Sequence, residues 1–165
     1  MEERESIVPL SSTAPTPRHS RREGTTNRKP AAPCVLLVDD DRTVRTLLAV
    51  SLEMLGCRIV TAGSGVEALR VLNAKPSVDV VVTEAALPVM DGLELVCTMR
   101  QTDGLKHLPV ILCAASVDEM MMKKAVACGC GRYLLKPVHP DFLFEQIRSL
   151  MQQKASHRDV QPAHF

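Results

Sequence analysis

Four acidic residues and one lysine have the types and spacing to do chemistry if the fold brings them together. Asp39, Asp40 and Asp41 form a run of carboxylates directly after the apolar stretch Cys34 to Val38, Glu84 closes a second apolar stretch, and Lys136 follows a third. Carboxylates that converge repel one another, and such a cluster is relieved by a hard divalent cation, by a neighbouring ammonium, or by both. Lys136 could supply the ammonium. A hard divalent cation would find oxygen ligands among the same carboxylates. A further candidate, Cys128-Gly129-Cys130, lacks the additional Cys or His pair that a four-ligand zinc site requires, and reads instead as buried or half-buried thiols.

These residues need elements to position them. From residue 34 onward, short apolar runs alternate with amphipathic segments, the pattern of a parallel sheet with helices on both faces. The runs are Cys34 to Val38, Arg58 to Thr61, Val78 to Thr83, Val110 to Cys113 and Tyr133 to Leu135. Their Val, Ile and Leu content fits strands buried on both sides, and the more alternating second run is expected near an edge. Between them, Val44, Leu47, Leu48, Leu52 and Leu55 recur at helical spacing, with Gly56 as a left-handed stop. Ser64 to Glu67 reads as a capping box. Asp91-Gly92-Leu93 opens a third helix with Leu93 and Val96 inward, and Asp118 to Cys128 makes a fourth closed by Gly129. Pro140 stands in the first turn of a fifth, ahead of Leu143, Ile147, Leu150 and Met151. In a doubly wound sheet, chemistry gathers at the carboxyl ends of the strands, which is where the acidic run, Glu84 and Lys136 all fall.

Composition sets the outer bounds. A chain of 165 residues, 45% of them hydrophobic, buries one substantial core and leaves little room for a second domain. With 20 Lys and Arg against 19 Asp and Glu, the total charge gives no argument for a nucleic-acid or membrane-surface protein. No apolar run reaches the roughly 18 residues of a bilayer span, and Met1-Glu2-Glu3-Arg4-Glu5 is unlike a secretory signal. Residues 1–33 are rich in Ser, Thr, Pro and Arg and read as a disordered basic arm. Its Arg18 to Lys29 stretch reads as a solvated tail, with a nuclear-import signal or a weak nucleic-acid contact as the alternatives, so the expected location is cytoplasmic with a nuclear option. Residues 34–153 form the domain and 154–165 a flexible tail. The six cysteines sit in or beside apolar segments rather than at the spacing of a disulfide framework, so free thiols and a reducing compartment are expected.

The motifs VLLVDDD, LPVMDGLEL, LPVIL and GRYLLKPV, in that order and spacing, resemble the receiver domain of two-component response regulators over essentially all of Cys34 to Met151. The resemblance implies an α/β, flavodoxin-like, doubly wound parallel sheet of five strands in the order 2-1-3-4-5, wrapped by five helices. It implies that Asp39 and Asp40 are the acidic pair that holds magnesium, with Asp40 the direct ligand. By the same resemblance Lys136 contacts a phosphoryl group, Lys136-Pro137 is a peptide the family often holds cis, and Tyr133 is the aromatic that turns inward on activation.

Two positions depart from the family. Where the third strand should present the aspartate nucleophile, this chain has Glu84, counted back from Pro88 and Asp91-Gly92. Its extra methylene moves the carboxylate by roughly 1.5 Å, and a misplacement of about 1 Å can cost on the order of a hundredfold in a reaction that depends on positioning. Where the fourth strand should end in Ser or Thr, it has Ala114, with no hydroxyl to bond a phosphoryl oxygen and draw Tyr133 inward. The expected function is therefore a signalling module of the phosphorelay type, not an enzyme, acting by protein–protein interaction without ordinary aspartyl phosphorylation. The alternative is a competent phosphoacceptor supplied by a phosphohistidine donor. Magnesium, which takes only one or two carboxylates and keeps several waters, is an option rather than a requirement, with Asp39, Asp40 and Glu84 as its candidate ligands.

Expected partners are a histidine kinase, a phosphotransfer protein or a transcriptional regulator, met through the fourth helix, fifth strand and fifth helix. Weak homodimerisation through that face is a further option. Met120, Met121 and Met122 stand about 100° apart on a helix, so all three cannot face the core; nor can both Phe142 and Phe144. Direct DNA binding is not expected, since no helix-turn-helix is appended and the basic arm is unpatterned.

Overall fold

The computed structural model describes residues 31–74 and 77–158. The expected basic arm lies outside the described residues as far as residue 30, and the expected tail does so from residue 159. The elements run β1 (Cys34–Val38), α1 (Arg42–Met54), β2 (Arg58–Ala62), α2 (Gly65–Ala74), β3 (Val80–Glu84), α3 (Gly92–Gln101), β4 (Val110–Ala114), α4 (Glu119–Ala127), β5 (Arg132–Leu135) and α5 (Pro140–Arg158). All strand pairs are parallel and the sheet order is β2-β1-β3-β4-β5, as expected.

The alternation of side chains along each strand divides the core. Leu36, Val38, Val81 and Val110 face Ala68, Leu72, Leu95 and Met99 of α2 and α3. Val35, Leu37, Val80, Val82 and Ile111 face Leu52 of α1 and Leu143 and Ile147 of α5. Each Val, Leu, Ile or Met among them taken fully out of water contributes roughly 1.5–3 kcal/mol before conformational entropy is subtracted. β2 is an edge strand with only Ala62 buried, which is why its sequence alternates.

The helix ends obey local chemistry. Asp41, Asp91 and Asp118 each accept backbone N–H bonds as N-caps of α1, α3 and α4, and Gly56 and Gly129 take positive φ after α1 and α4. At α2 the Ser64 hydroxyl accepts from Glu67 N–H, but the Glu67 carboxylate reaches Gly63 N–H rather than that of Ser64, a displaced capping box. Helix α5 continues past Gln153 to Arg158, because Gln152, Gln153, Lys154 and Ala155 are good helix formers with no breaker among them. Among the described residues, no helix is long and apolar enough to cross a membrane.

One expectation is overturned. Cys97 and Cys128 are joined by a disulfide, so the cysteines are not all free thiols; Cys34, Cys57, Cys113 and Cys130 are. Spacing along the chain gave no hint of this because the partners are 31 residues apart, on α3 and at the end of α4. The fold lays those elements side by side, with Cα atoms 5.4 Å apart, inside the range a bridge can span.

Candidate ion cluster at the carboxyl end of the sheet

Asp39 directly follows β1 and Glu84 ends β3, so parallel pairing delivers both carboxylates to one edge. Lys136 follows β5 across β4, and its backbone N–H donates to Ala114 O at 2.8 Å. The lysine Nζ then lies 2.9 Å from Asp39 Oδ2 and 2.8 Å from Glu84 Oε1. Asp39 is 3% exposed, and its other carboxylate oxygen accepts from Asp41 N–H at 2.9 Å. A buried carboxylate needs such compensation, and here both oxygens have it. Asp40 is exposed beside them, and Asp39, Asp40 and Glu84 can bring ligating oxygens within 4.8 Å of one another.

Three carboxylates share one ammonium, and the charge states follow from that excess. Burial pushes the Glu84 carboxyl up; the Lys136 contact opposes this, and the neighbouring Asp39 and Asp40 reinforce it, leaving Glu84 above the usual carboxylate range. Burial alone would lower Lys136, but its bonds to Glu84 and Asp39 outweigh burial and hold the ammonium above its ordinary value. Cys113, on β4 beside the cluster, is pushed up to about 12 chiefly by burial and stays a neutral thiol. A cavity of about 520 Å³ has both the triad and the apolar side chains Val44, Leu47, Val138 and Leu143 in its lining, so the ion pairs sit against low-dielectric material that strengthens them.

The sequence picked out Asp39, Asp40, Glu84 and Lys136, and the fold brings those four together. Asp41 does not join them: it turns away to cap α1, accepting from Thr43 N–H at 2.7 Å and Val44 N–H at 3.1 Å, and those bonds hold its carboxyl below the usual range. Ala114 is buried at the end of β4, in register with Leu135. Tyr133 packs with Met121 against Ala85, Leu112, Ala114 and Ala125, and its hydroxyl donates to Ser116 O at 3.4 Å, away from the carboxylates. The Lys136-Pro137 peptide is cis.

Other contributors were not anticipated. The Arg45 guanidinium donates to the Asp39 carbonyl, and the buried Thr83 hydroxyl donates to the Glu84 carbonyl at 3.0 Å. A Cβ at Gly92 would strike that same carbonyl, so glycine there is what lets α3 start against the end of β3, with Gly92 N–H donating to Ala85 O at 2.8 Å. Between Glu84 and α3, Val89 adopts φ 70°, a left-handed conformation that a β-branched residue rarely enters. Met90 N–H bonds Pro88 O at 2.8 Å around it, closing a strained three-residue turn next to the cluster. The Pro88-Val89-Met90-Asp91-Gly92 string was the available signal, since prolines and glycines punctuate turns.

Comparison with known proteins identifies the family and agrees on the fold. Residues 35–148 match the response regulator receiver domain family. The chain is similar to the transcriptional regulatory protein AfsQ1 of Streptomyces coelicolor, 35% identical over 121 residues, which cover 73% of this chain and 52% of AfsQ1. It is similar to chemotaxis protein CheY1 of Helicobacter pylori, 30% identical over 118 residues, covering 71% of this chain and 95% of CheY1. Among solved structures, a response regulator receiver domain protein from Clostridium thermocellum superposes with a TM-score of 0.71 at 27% identity, covering 76% of this chain and 98% of that one. Vibrio cholerae CheY4 gives 0.69 at 28% identity, covering 73% and 99%. The chain thus spans about half the length of AfsQ1 and nearly all of CheY1. With its strand order, its motifs and its family match in agreement, the chain belongs to the response regulator receiver domain family.

Proposed function

We propose that residues 34–153 are a receiver module that signals by protein–protein interaction, without ordinary aspartyl phosphorylation and without enzymatic turnover of its own. The observation that carries this reading is the ion triad: Lys136 Nζ lies 2.8 Å from Glu84 Oε1 and 2.9 Å from Asp39 Oδ2. The longer carboxylate itself takes up the lysine that would otherwise receive a phosphoryl oxygen. It brings one negative charge where a phosphoryl group brings nearly two, so it imitates the phosphorylated state only in part. Ala114 supports the same reading, since its methyl group offers no donor where a switch hydroxyl would stand, and Tyr133 keeps its own bond to Ser116 O.

Magnesium fits the donor set. Asp39, Asp40 and Glu84 offer hard oxygens in reach of one another, and their charge exceeds what one lysine neutralises. Those residues would hold the ion, and it would supply the charge neutralisation that Lys136 leaves incomplete; signalling by protein contact does not depend on it. The output surface in this reading is α4, β5 and α5, where Met120, Val126, Leu135 and Phe142 are exposed. Partners of a receiver at such a face are a histidine kinase, a phosphotransfer protein, a transcriptional regulator or a second copy. AfsQ1 is a transcriptional regulatory protein by name, and any such role for this chain would run through a partner.

The test is a gain of function. Purified protein is incubated with a small acyl phosphate and magnesium, and acid-labile phosphoprotein is resolved on a phosphate-retarding gel. The Glu84→Asp, Ala114→Thr double variant is expected to become labelled while the native chain does not. Native labelling at the level of the double variant, abolished by Glu84→Gln, would establish the competent phosphoacceptor instead.

A further inference from the structure

Helix α4 is thinly held. Among its residues only Ala125 is fully buried, while Met120 is 64% and Val126 68% exposed. Its ends do the holding. At the start, Asp118 accepts Met121 N–H at 3.0 Å. At the finish, Cys128 is bonded to Cys97 of α3, and the guanidinium of Arg100, one turn further along α3, donates to Gly129 O at 2.8 Å. One covalent and one polar tie therefore fasten the end of α4 to α3.

The remaining thiols are placed so that they do not compete. Cys34, Cys57 and Cys113 are buried, and Cys130, though close in sequence, turns its Sγ to Arg132 O at 3.0 Å. Cys97 and Cys128 are only half-buried, which leaves them within reach of a small thiol reagent. Access and thiolate character decide which cysteines exchange: Cys34, Cys57 and Cys113 lack the access, and Cys130, half-buried like the pair, has its Sγ engaged at Arg132 O.

We propose that Cys97 and Cys128 form a reversible thiol–disulfide exchange site whose state sets how firmly α4 is held. The oxidant is a small disulfide of the glutathione class, R–S–S–R. One protein thiolate attacks it, forming a mixed disulfide and expelling one R–S⁻; the second protein thiolate attacks the mixed disulfide, closing Cys97–Cys128 and expelling the other. The two cysteine sulfurs lose two electrons, the small disulfide gains them, and the two thiol protons end on two R–SH. A reduced small thiol reverses every step. Opening the bridge leaves the Arg100 hydrogen bond to Gly129 O across to α3 at that end, and the loosened helix carries Met121, which packs with Tyr133 against Ala114 and Ala125. Redox state would thus reach the α4 and β5 surface by a route that bypasses Glu84, and it does so whether or not Glu84 accepts phosphate.

The full chain is equilibrated across ratios of oxidised to reduced glutathione, quenched in acid, denatured, alkylated and mapped by mass spectrometry, and parallel native samples are compared by amide hydrogen exchange. The expected result is a Cys97–Cys128 linked peptide that appears and disappears reversibly, with the other four cysteines alkylated throughout. On reduction, amides of Glu119–Ala127 should exchange at least about tenfold faster, at times when the amides of β1 and β3 are still protected. Cys97→Ser should exchange like the reduced native chain under both conditions; because reduction of the native chain needs no variant, the comparison survives if that substitution fails to fold. Absence of the linked peptide at every ratio, a bridge that strong reductant does not open in the folded chain, or closure without slower exchange in α4 would each overturn the proposal.

Discussion

Strand β1 buries all five of its residues and hands Asp39 to the ion cluster, whereas β5 has none of its four residues fully buried and hands over Lys136. The helices repeat the contrast. Helix α5 buries Leu143, Ile147 and Leu150, while α4 buries Ala125 alone and relies on the bonds at its ends. Local opening is easiest where buried apolar contacts are few. The carboxylates are therefore fixed by the middle of the sheet, and the lysine, the tyrosine and α4 belong to the side that yields first. In a domain that relays a signal, that division puts the adjustable parts next to the exposed face and the charge-bearing parts on rigid backbone.

The contrast can be broken by experiment. The largest effect is expected in the central strands: Leu36→Ala or Ile111→Ala, each fully buried, should cost roughly 2–5 kcal/mol, read as a lower urea midpoint at unchanged slope. Next comes the bridge. By the chain-entropy account, opening a loop of 31 residues should cost about 3–4 kcal/mol, seen as a lower thermal midpoint on reduction; an unchanged midpoint would contradict a bridge that constrains the unfolded chain. Lys136→Met leaves Asp39 and Glu84 unpaired. Removing one partner of a buried pair costs about 3–5 kcal/mol, and since the lysine side chain is 24% exposed a loss nearer about 2 kcal/mol is expected. Smallest of all, Met120→Ala or Val126→Ala should change stability by no more than about 0.5 kcal/mol while weakening any partner that uses α4.

The charge cluster adds a pH signature. A carboxyl whose folded pKa lies above its unfolded value contributes stability that is complete below the unfolded pKa and is lost as pH rises through the folded one. Glu84 is raised, so the native chain should lose stability relative to Glu84→Gln as pH climbs from the ordinary glutamate value through that raised one. Lys136 is raised too, and its contribution should persist through neutral pH and fade only beyond the ordinary lysine range. Parallel pH curves for the two proteins across the acid range would mean that Glu84 does not feel its neighbours.

The sheet was legible because Val, Ile and Leu runs at strand ends put Asp39, Glu84 and Lys136 on one edge by topology alone. Caps were legible too, since Asp91, Asp118 and Gly129 stand where helix ends need them. Asp41 was readable as a cap, but its position in an acidic triplet masked that role. The third strand begins at Val80 rather than Val78, because Asp79 is spent accepting Cys34 N–H at 2.9 Å. What spacing along the chain could not give were contacts made across space: Arg45 on the Asp39 carbonyl, Gly92 against Glu84, and Cys97 beside Cys128. These depend on how helices seat on the sheet, a tertiary fact that no local pattern encodes.

The most direct test of the central claim is intact-protein mass spectrometry after brief exposure to acetyl phosphate and magnesium, with peptide mapping of any modified species. The expected result is an unmodified chain, with phosphate taken up only once Glu84→Asp and Ala114→Thr are both introduced. A hydroxylamine-sensitive phosphate on Glu84 of the native protein, formed as readily as on the aspartate of that double variant, would contradict it.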